Sequence, residues 1–487
     1  MQSDGTITYI HNLLITKKIS CYELTQKYLD EIKKSKLNAY VNVCEESAIK
    51  SAKEIDKKIA SGKEISLLEG IPMLLKDNMS TNGIETTCCS NILKGYVPIY
   101  DATVWELLKQ QGAVLLGKGN MDEFAMGSTC ETSCFGGAKN PHDISCVAGG
   151  SSGGVAAAVA GNIAVYGLGS DTGGSIRQPA AFCGIVGLKP TYGAVSRYGI
   201  IAYASSFDQV GPMTHTVQDA SIVFDAISKY DPKDSTSCKN ITCDTFCKLN
   251  NSISGMKIGI PKEYFEGIDS EIQKSINQAI EVYKSLGAQI EYFNLPELKY
   301  ALPVYYILVC AEASSNLGRY DGIRYGYKAE NYTDINDMIC KTRAKGFGKE
   351  VKRRILLGTY VLSAGYYDAY YKKAQNLRGE IVRAFKRAFG KFDILLAPTA
   401  ASTAFKFGMT SSNPVEMYLT DIYTVPVNTA GIPAISLPCG FHSNGLPIGM
   451  QLIGDNFSEA KLLNAANMYE MKTERQFLHK TDMGVKI

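Results

Sequence analysis

Residues 148–190 read AGGSSGGVAAAVAGNIAVYGLGSDTGGSIRQPAAFCGIVGLKP, and this stretch decides both the fold and the chemistry of the chain. Two glycine-serine clusters, at residues 149–154 and 169–175, are separated by one helix-like and one strand-like segment. Glycine lets the backbone bend sharply and approach a ligand closely. The two clusters therefore predict two tight turns that present serine hydroxyls, the second of them at the end of a buried strand.

The second cluster has the features of a nucleophile turn. Such a turn leaves several backbone N–H groups pointing in one direction, which is what a tetrahedral oxyanion requires. We expect the N–H groups of Thr172, Gly173, Gly174 and Ser175 to form this oxyanion hole. A serine hydroxyl is a poor nucleophile until a base takes its proton. The chain must therefore supply a base.

Lys76 is the best candidate for that base. The sequence has five histidines, and none lies beside a comparable motif. Lys76 follows the apolar run at residues 71–75, and a lysine at the mouth of a buried strand loses hydration, which lowers its pKa and lets it act as a neutral base. A lone lysine at a strand end is more often a solvated charge. The two serine clusters downstream favour the catalytic interpretation.

These residues resemble the amidase-signature family, whose hallmark is a GGSSGG to GSDTGGS(I/V)R segment downstream of a lysine in a Lys-Asp sequence. The resemblance implies that Ser175 is the nucleophile, that Ser151 follows a cis peptide bond and relays protons, and that Lys76 is the base. It also implies an α/β fold in which a central mixed β-sheet is covered by helices on both faces.

Later segments resemble one branch of this family, the A subunits of glutamyl-tRNA(Gln) amidotransferases, from about residue 7 to residue 475. They are residues 189–212, 312–326, 351–375 and 421–440. The resemblance implies a glutaminase that hydrolyses glutamine to glutamate and ammonia for the amidation of Glu-tRNA(Gln) to Gln-tRNA(Gln). The B and C subunits and, through the complex, Glu-tRNA(Gln) are the implied partners. ATP and Mg²⁺ are implied for a partner subunit, with no cofactor or metal on this chain.

The same resemblance implies the substrate-binding residues. Arg354, Asp421 and Tyr305 match the positions that hold the α-carboxylate and α-ammonium of glutamine, and Ser128 lies in a segment that lines the pocket in relatives. A guanidinium can bind a carboxylate through two parallel hydrogen bonds. The neighbours Arg353 and Tyr306 remain alternatives. Residues 127–133 read GSTCETS where the family usually has GSSTENS, and residues 136–138 read GGA where GPV is more common, so the fine specificity is open.

The composition limits the class of protein. Of 487 residues 45% are hydrophobic, which is enough for a large core, and a net charge of +3 gives little reason to expect tight, protein-wide binding of nucleic acid. The 14 cysteines are scattered along the chain, which favours a reducing compartment. No stretch approaches the roughly 18 apolar residues of a membrane span. We expect a cytoplasmic protein, or an organellar one whose targeting peptide was omitted, without a membrane contact.

Strands and helices are predicted to alternate, as in α/β proteins. Short apolar runs predict strands at residues 71–75, 113–116, 163–168, 258–260, 394–396, 435–437 and 448–452. Helical periodicity predicts helices at residues 103–110, 155–160, 271–286, 349–389 and 459–471. Residues 1–63 are predicted to form a helical layer that is continuous with a catalytic core at residues 64–480. The polar residues 230–254 are predicted to form a surface excursion.

Three other motifs suggest different functions and are weaker. Residues 149–153 also fit the G-x-S-x-G elbow of α/β-hydrolases, but no strong strand precedes them. Residues 112–119 imitate a phosphate-binding loop, although Gly119 replaces the hydroxyl that would bind magnesium. Cys238, Cys243 and Cys247 are too irregularly spaced to predict a metal site. A stand-alone amidase and a non-catalytic scaffold subunit are the alternative functions.

Overall fold

The computed structural model describes residues 6–239, 241, 244–409 and 414–474. The predicted end of the catalytic core, residue 480, and the end of the family resemblance, residue 475, lie outside the described residues. The central feature of the fold is a sheet of eleven strands. The strands are β1 Tyr40–Val43, β2 Pro72–Lys76, β3 Val114–Gly119, β4 Tyr166–Asp171, β5 Val186–Lys189, β6 Gln209–Thr214, β7 Lys257–Pro261, β8 Gln289–Phe293, β9 Ile394–Pro398, β10 Ala434–Phe441 and β11 Pro447–Gly454.

The strand order is β1-β3-β2-β4-β6-β5-β10-β11-β9-β7-β8. Parallel pairs join β2 to β3 and β4, and β7 to β8 and β9, whereas the pairs around β6, β5, β10 and β11 are antiparallel. The sheet is therefore mixed, as expected. Because β2 and β4 are parallel neighbours, their carboxyl ends lie at the same edge, with Leu75 opposite Leu168.

Helices cover both faces of this sheet, which confirms the predicted fold class. The α-helices are α1 Thr6–Ile15, α2 Cys21–Lys34, α3 Glu45–Ala60, α4 Thr103–Gln110, α5 Gly153–Ala160, α6 Arg177–Cys183, α7 Val217–Ile227, α8 Ser270–Ser285, α9 Ala301–Asn316, α10 Ile335–Gly346, α11 Lys349–Leu362, α12 Lys373–Phe389, α13 Pro414–Leu419, α14 Val425–Ala430 and α15 Glu459–Lys472. One large core surrounds the sheet, and a second core packs α9 and α12 against the strand β9.

All seven predicted strands are present, but four others were not predicted. β6 contains glycine and proline, β5 is short, and β8 is an edge strand with exposed polar residues. β1 lies inside the predicted helical layer and pairs with β3, so residues 1–63 contribute a strand as well as helices. None of these strands has the continuous apolar run that identifies a buried strand in a sequence.

The predicted helix at residues 349–389 is wrong as a single element. The chain forms α11, turns through Gly365 at a φ of +87°, passes through a π-helical segment Tyr367–Lys372 and continues as α12. A positive φ is easily adopted by glycine and ends a helix. The apolar periodicity on both sides of the break hid this turn.

The segment 230–254 is only partly a surface excursion. Ile253 is 2% exposed and Asp231 is 4% exposed, and the Asp231 carboxylate accepts hydrogen bonds from the hydroxyls of Thr103 and Ser196, both at 2.6 Å. Asp231, one of the polar residues that suggested a loop, is therefore buried and bonded to hydroxyl groups from outside the segment.

Candidate active site

Lys76 ends β2 and lies fully buried at the carboxyl edge of the sheet. Its Nζ atom is 2.6 Å from Ser151 Oγ and donates to the carbonyl oxygen of Ser170 at 3.1 Å. Burial lowers the pKa of Lys76 to about 8, although the carboxylates of Asp122 and Asp171 oppose this shift. The lowered pKa was predicted from the position of Lys76 at the end of a buried strand. About a tenth of this amine is therefore uncharged at pH 7, far more than for an ordinary lysine.

Ser151 lies in a turn with a cis peptide bond between Gly150 and Ser151, as the resemblance implied. The N–H of Asp122 donates to the Ser151 carbonyl at 3.2 Å, and the N–H of Gly150 donates to Gln178 Oε1 at 3.0 Å. A Cβ atom on Gly150 would lie 2.1 Å from Asp122 Oδ2, so only glycine fits there. We call residues 149–152 the relay turn.

Ser175 lies in the turn that follows β4, which we call the nucleophile turn, residues 171–176. It is buried except for a small exposed fraction of 7%. The N–H of Ser152 donates to the carbonyl of Ser175 at 3.1 Å, so the two glycine-serine clusters are joined directly. The structure thus brings the relay turn, the nucleophile turn and Lys76 together at one edge of the sheet.

The backbone donors of the nucleophile turn differ from the prediction at one residue. The N–H of Gly174 donates to Asp171 Oδ1 at 2.7 Å, so Gly174 does not offer a free donor to a ligand. The N–H groups of Thr172, Gly173 and Ser175 have no protein acceptor in the described part of the chain. These three amides are the remaining candidates for the oxyanion hole.

The sequence did not reveal what holds this turn in shape. Asp171 accepts hydrogen bonds from Arg177 Nε at 3.0 Å and from Asn428 Nδ2 at 2.8 Å, and all three side chains are buried. Burial opposes ionisation of Asp171, but the Arg177 guanidinium holds its pKa at about 2. The motif contains both Asp171 and Arg177, but it does not predict this network, because the third partner, Asn428, is distant in sequence.

Arg354 on α11 lies at the other end of the site and is 2% exposed. Its Nε donates to Glu350 Oε1 at 2.8 Å and its Nη1 donates to the Tyr203 hydroxyl at 2.6 Å. Its Nη2 is buried and has no hydrogen-bond partner among the described residues. Arg353, the alternative, has a side chain that is 33% exposed. A buried donor without a partner is unfavourable unless a ligand accepts from it, so Arg354 fits an anionic ligand.

Asp421 provides a buried carboxylate close to Arg354. It accepts hydrogen bonds from Ser128 Oγ at 2.7 Å and from the Tyr306 hydroxyl at 2.8 Å. The Arg354 guanidinium lies over the ring of the same Tyr306, 5.3 Å from its centre. Burial raises the pKa of Asp421 to about 6, so it is largely ionised at neutral pH and can pair with a cation.

The structure distinguishes the two adjacent tyrosines. Tyr306 bonds to Asp421 and packs on Tyr418, with ring centres 4.1 Å apart. Tyr305 contacts the nucleophile turn instead, because a Cβ atom on Gly173 would lie 2.4 Å from the Tyr305 hydroxyl. Both tyrosines therefore border the site, one at the charged end and one at the reacting end. Ser128, which was predicted to line the pocket, lies at the charged end, where its hydroxyl bonds to Asp421.

The weaker motifs have structural explanations. In the stretch at residues 112–119, Lys118 belongs to β3, is fully buried, and donates to the Met79 carbonyl at 2.6 Å and to Thr86 Oγ1 at 2.8 Å. It therefore supports the loop after Lys76 and offers no phosphate site. Cys243 lies outside the described residues, within which no three His, Cys, Asp or Glu side chains are arranged to hold a metal ion. Over the same residues, no helix is long and apolar enough to cross a membrane.

Comparison with known proteins decides the family. A family model described as Amidase matches residues 23–463. The chain belongs to the amidase family. It is an amidase-signature enzyme, a family with a Ser-Ser-Lys mechanism, and the candidates for these three residues are Ser175, Ser151 and Lys76.

Relatives within this family are similar over nearly the whole amidase chain. The A subunit of glutamyl-tRNA(Gln) amidotransferase from Carboxydothermus hydrogenoformans is 57% identical over 94% of this chain and 95% of its own. The corresponding protein of Alkaliphilus metalliredigens is 54% identical over 95% of both chains. The crystal structure of the Thermotoga maritima counterpart is 41% identical, with a TM-score of 0.77 over 92% of this chain and 91% of that one. Peptide amidase from Stenotrophomonas maltophilia is 29% identical, with a TM-score of 0.81 over 97% of both.

Proposed function

We propose that this amidase is the glutamine-hydrolysing component of a tRNA-dependent amidotransferase, its A subunit. The observation that carries the proposal is that a buried Arg354 Nη2, without a partner among the described residues, and the Asp421 carboxylate both lie against Tyr306. Free glutamine has an α-carboxylate for the first and an α-ammonium for the second. The similarity to the A subunits of glutamyl-tRNA(Gln) amidotransferases supports the same substrate.

In the first half of the reaction, Ser175 Oγ attacks the side-chain amide carbon of glutamine. Its proton passes to Ser151 while the Ser151 proton passes to neutral Lys76, whose Nζ lies 2.6 Å from Ser151 Oγ. The free N–H groups of the nucleophile turn stabilise the oxyanion. The proton then returns through Ser151 to the amide nitrogen, the C–N bond breaks, and ammonia leaves a γ-glutamyl ester on Ser175.

In the second half, a water molecule replaces ammonia. The same relay removes a proton from water as it attacks the ester carbonyl, and then returns the proton to Ser175 Oγ as the C–O bond breaks. Glutamate leaves and the relay is restored. One base thus serves both halves, because each half begins with the removal of a proton and ends with its return.

The remaining parts of the proposal concern partners and location. The B and C subunits complete the complex, Glu-tRNA(Gln) reaches it through a partner, and ATP with Mg²⁺ acts at a partner subunit, so this chain needs no cofactor of its own. The near balance of 51 basic and 48 acidic residues supports the placement of tRNA binding on another subunit. We place the reaction in the cytoplasm, and the 13 described cysteines, all free thiols, support a reducing compartment.

The proposal is tested by ammonia release from glutamine, measured with the chain alone, with the B and C subunits, and with charged tRNA added. Glutamine and hydroxylamine together should yield γ-glutamyl hydroxamate, which reports the ester on Ser175. Ser175→Ala should lose both activities. Hydrolysis that is fast in the isolated chain and unchanged by the other components would indicate a stand-alone amidase, and full activity in Ser175→Ala would indicate a different nucleophile.

A further inference from the structure

The buried carboxylate of Glu123 lies at the beginning of α11, far from its own position in the sequence. Glu123 is 3% exposed, and its two carboxylate oxygens lie 3.0 and 2.9 Å from the N–H of Gly348. The hydroxyl of Ser90 donates to the same carboxylate. Gly348 is the N-cap of α11 and has no side chain to cap it. Glu123 therefore supplies a hydrogen-bond acceptor that the start of this helix lacks.

The helix that Glu123 anchors carries the recognition arginine. Arg354 follows Gly348 by six residues, which is less than two helical turns. Glu350, in the first turn of α11, holds the Arg354 Nε at 2.8 Å. A displacement of the helix start would therefore move both Glu350 and Arg354, and with them the unpartnered Nη2.

The contact between Glu123 and Gly348 is closely fitted. A Cβ atom on Gly348 would lie 2.2 Å from Glu123 Oε2, and its three nearest neighbours would all be atoms of Glu123. The next residue, Phe124, packs edge-on against Phe347 with ring centres 5.7 Å apart. Two successive residues of one segment thus contact the two residues that immediately precede α11.

The preceding residue, Asp122, anchors the other half of the site. Its N–H donates to the Ser151 carbonyl at 3.2 Å, and its carboxylate accepts the N–H of Cys130 at 2.8 Å beside Gly150. Asp122 therefore contacts the relay turn, and Glu123 contacts the start of α11. Neither residue is used by the mechanism above.

We propose that Glu123 is a positioning residue for substrate recognition, which sets the place of Arg354 by anchoring the start of α11 to the segment that also holds the relay turn. The inference rests on the proposed function, because it takes Arg354 as the group that binds the substrate carboxylate. It predicts that changes at Glu123 act on glutamine binding rather than on the proton relay.

The first test is the steady-state kinetics of Glu123→Ala and Glu123→Gln in the full chain, alone and with its partner subunits. Glu123→Ala should raise the KM for glutamine about 10-fold and change kcat less than about 3-fold, because a displaced binding group loses affinity without altering the relay. Glu123→Gln keeps an acceptor for the Gly348 N–H and should recover most of the affinity. An equal loss of kcat in both variants at unchanged KM would overturn the proposal.

The second test uses the close fit of Gly348. Gly348→Ala alone should raise the KM for glutamine, because the new methyl group displaces the Glu123 carboxylate. Added to Glu123→Ala, the same change should have little further effect, since the three atoms nearest to the added Cβ all belong to Glu123. Independent, multiplicative effects of the two substitutions would contradict the anchoring contact.

Asp56→Asn is the matched control. The Asp56 carboxylate accepts the N–H groups of Cys21 at 2.7 Å and Tyr22 at 2.9 Å, so it also anchors a helix start, that of α2, but away from the site. This variant should leave the KM for glutamine unchanged. A rise in KM equal to that of Glu123→Ala would show a general loss of stability and would end the proposal.

Hydrogen exchange separates this inference from the proposed function. Amides at the start of α11 should exchange at least about 10-fold faster in Glu123→Ala than in the wild type, with no substrate present. If the wild type does not hydrolyse glutamine but this exchange increases, the proposed function fails and the anchoring stands. If glutamine is hydrolysed but the exchange is unchanged, the anchoring fails alone.

Discussion

At the scale of single residues, the lowered pKa of Lys76 predicts the pH dependence of the reaction. The base must be neutral, so activity should rise with pH as Lys76 loses its proton, with a midpoint at about pH 8. Below that pH, kcat/KM for glutamine should fall about 10-fold per unit, and it should level off above it. Initial rates of ammonia release between about pH 6 and 9 check this. A flat profile across that range would exclude Lys76 as the titrating base.

Arg354 and its neighbour Arg353 allow a matched comparison. Arg354→Lys should raise the KM for glutamine by about 100-fold, because a lysine cannot form two parallel hydrogen bonds to a carboxylate or reproduce the contacts with Glu350 and Tyr203. Arg353→Lys, at a side chain that is 33% exposed, should change KM less than about 2-fold. Similar effects in both variants would contradict the assignment of Arg354 to substrate binding.

At the scale of elements, the close approach of α9 and α11 depends on Gly358. A Cβ atom at this position would lie 1.8 Å from the carbonyl oxygen of Cys310, a backbone atom that cannot turn away. Gly358→Ala should therefore lower the free energy of unfolding by about 1–3 kcal/mol, measured by denaturant titration. Gly318→Ala is the control, because nothing lies within 4 Å of its added Cβ atom, and it should have little effect. Equal stability of the two variants would show that the helices separate freely.

Elements that depend on local sequence patterns could be predicted, whereas contacts between distant elements could not. Buried strands and the nucleophile motif are local patterns, so the strands β2, β3 and β4, Lys76 and the two serine turns were predictable. The commitment of the Gly174 N–H to Asp171 was not, because the motif alone does not tell which amides of a turn remain free. Tyr305 and Tyr306 have the same local context, and only the packing of α9 against α14 and α11 sends them to different ends of the site.

At the scale of the whole molecule, the N-terminal region is part of the same sheet and core as the catalytic residues. β1 at residues 40–43 pairs with β3, α3 packs on β3, and α2 packs on β3 and on β2, the strand that carries Lys76. Deletion of residues 1–63 should therefore prevent folding, because it uncovers the apolar core beneath β2 and β3. Solubility, near-ultraviolet circular dichroism and calorimetry of the truncated chain check this expectation. A truncated chain that unfolds cooperatively at the temperature of the full chain would contradict it.

The unpartnered nitrogen of Arg354 also bears on the selectivity between free glutamine and glutamine residues within proteins. A glutamine within a polypeptide has both α-groups tied up in peptide bonds, so it brings neither a carboxylate to Arg354 nor an ammonium to Asp421. Its entry would leave Arg354 Nη2 without an acceptor and Asp421 without a cation, and a site built around polar partners rejects a molecule that lacks them by a factor of about 10⁴. Under the proposed function, we therefore expect glutamine residues within polypeptides to escape hydrolysis by this site.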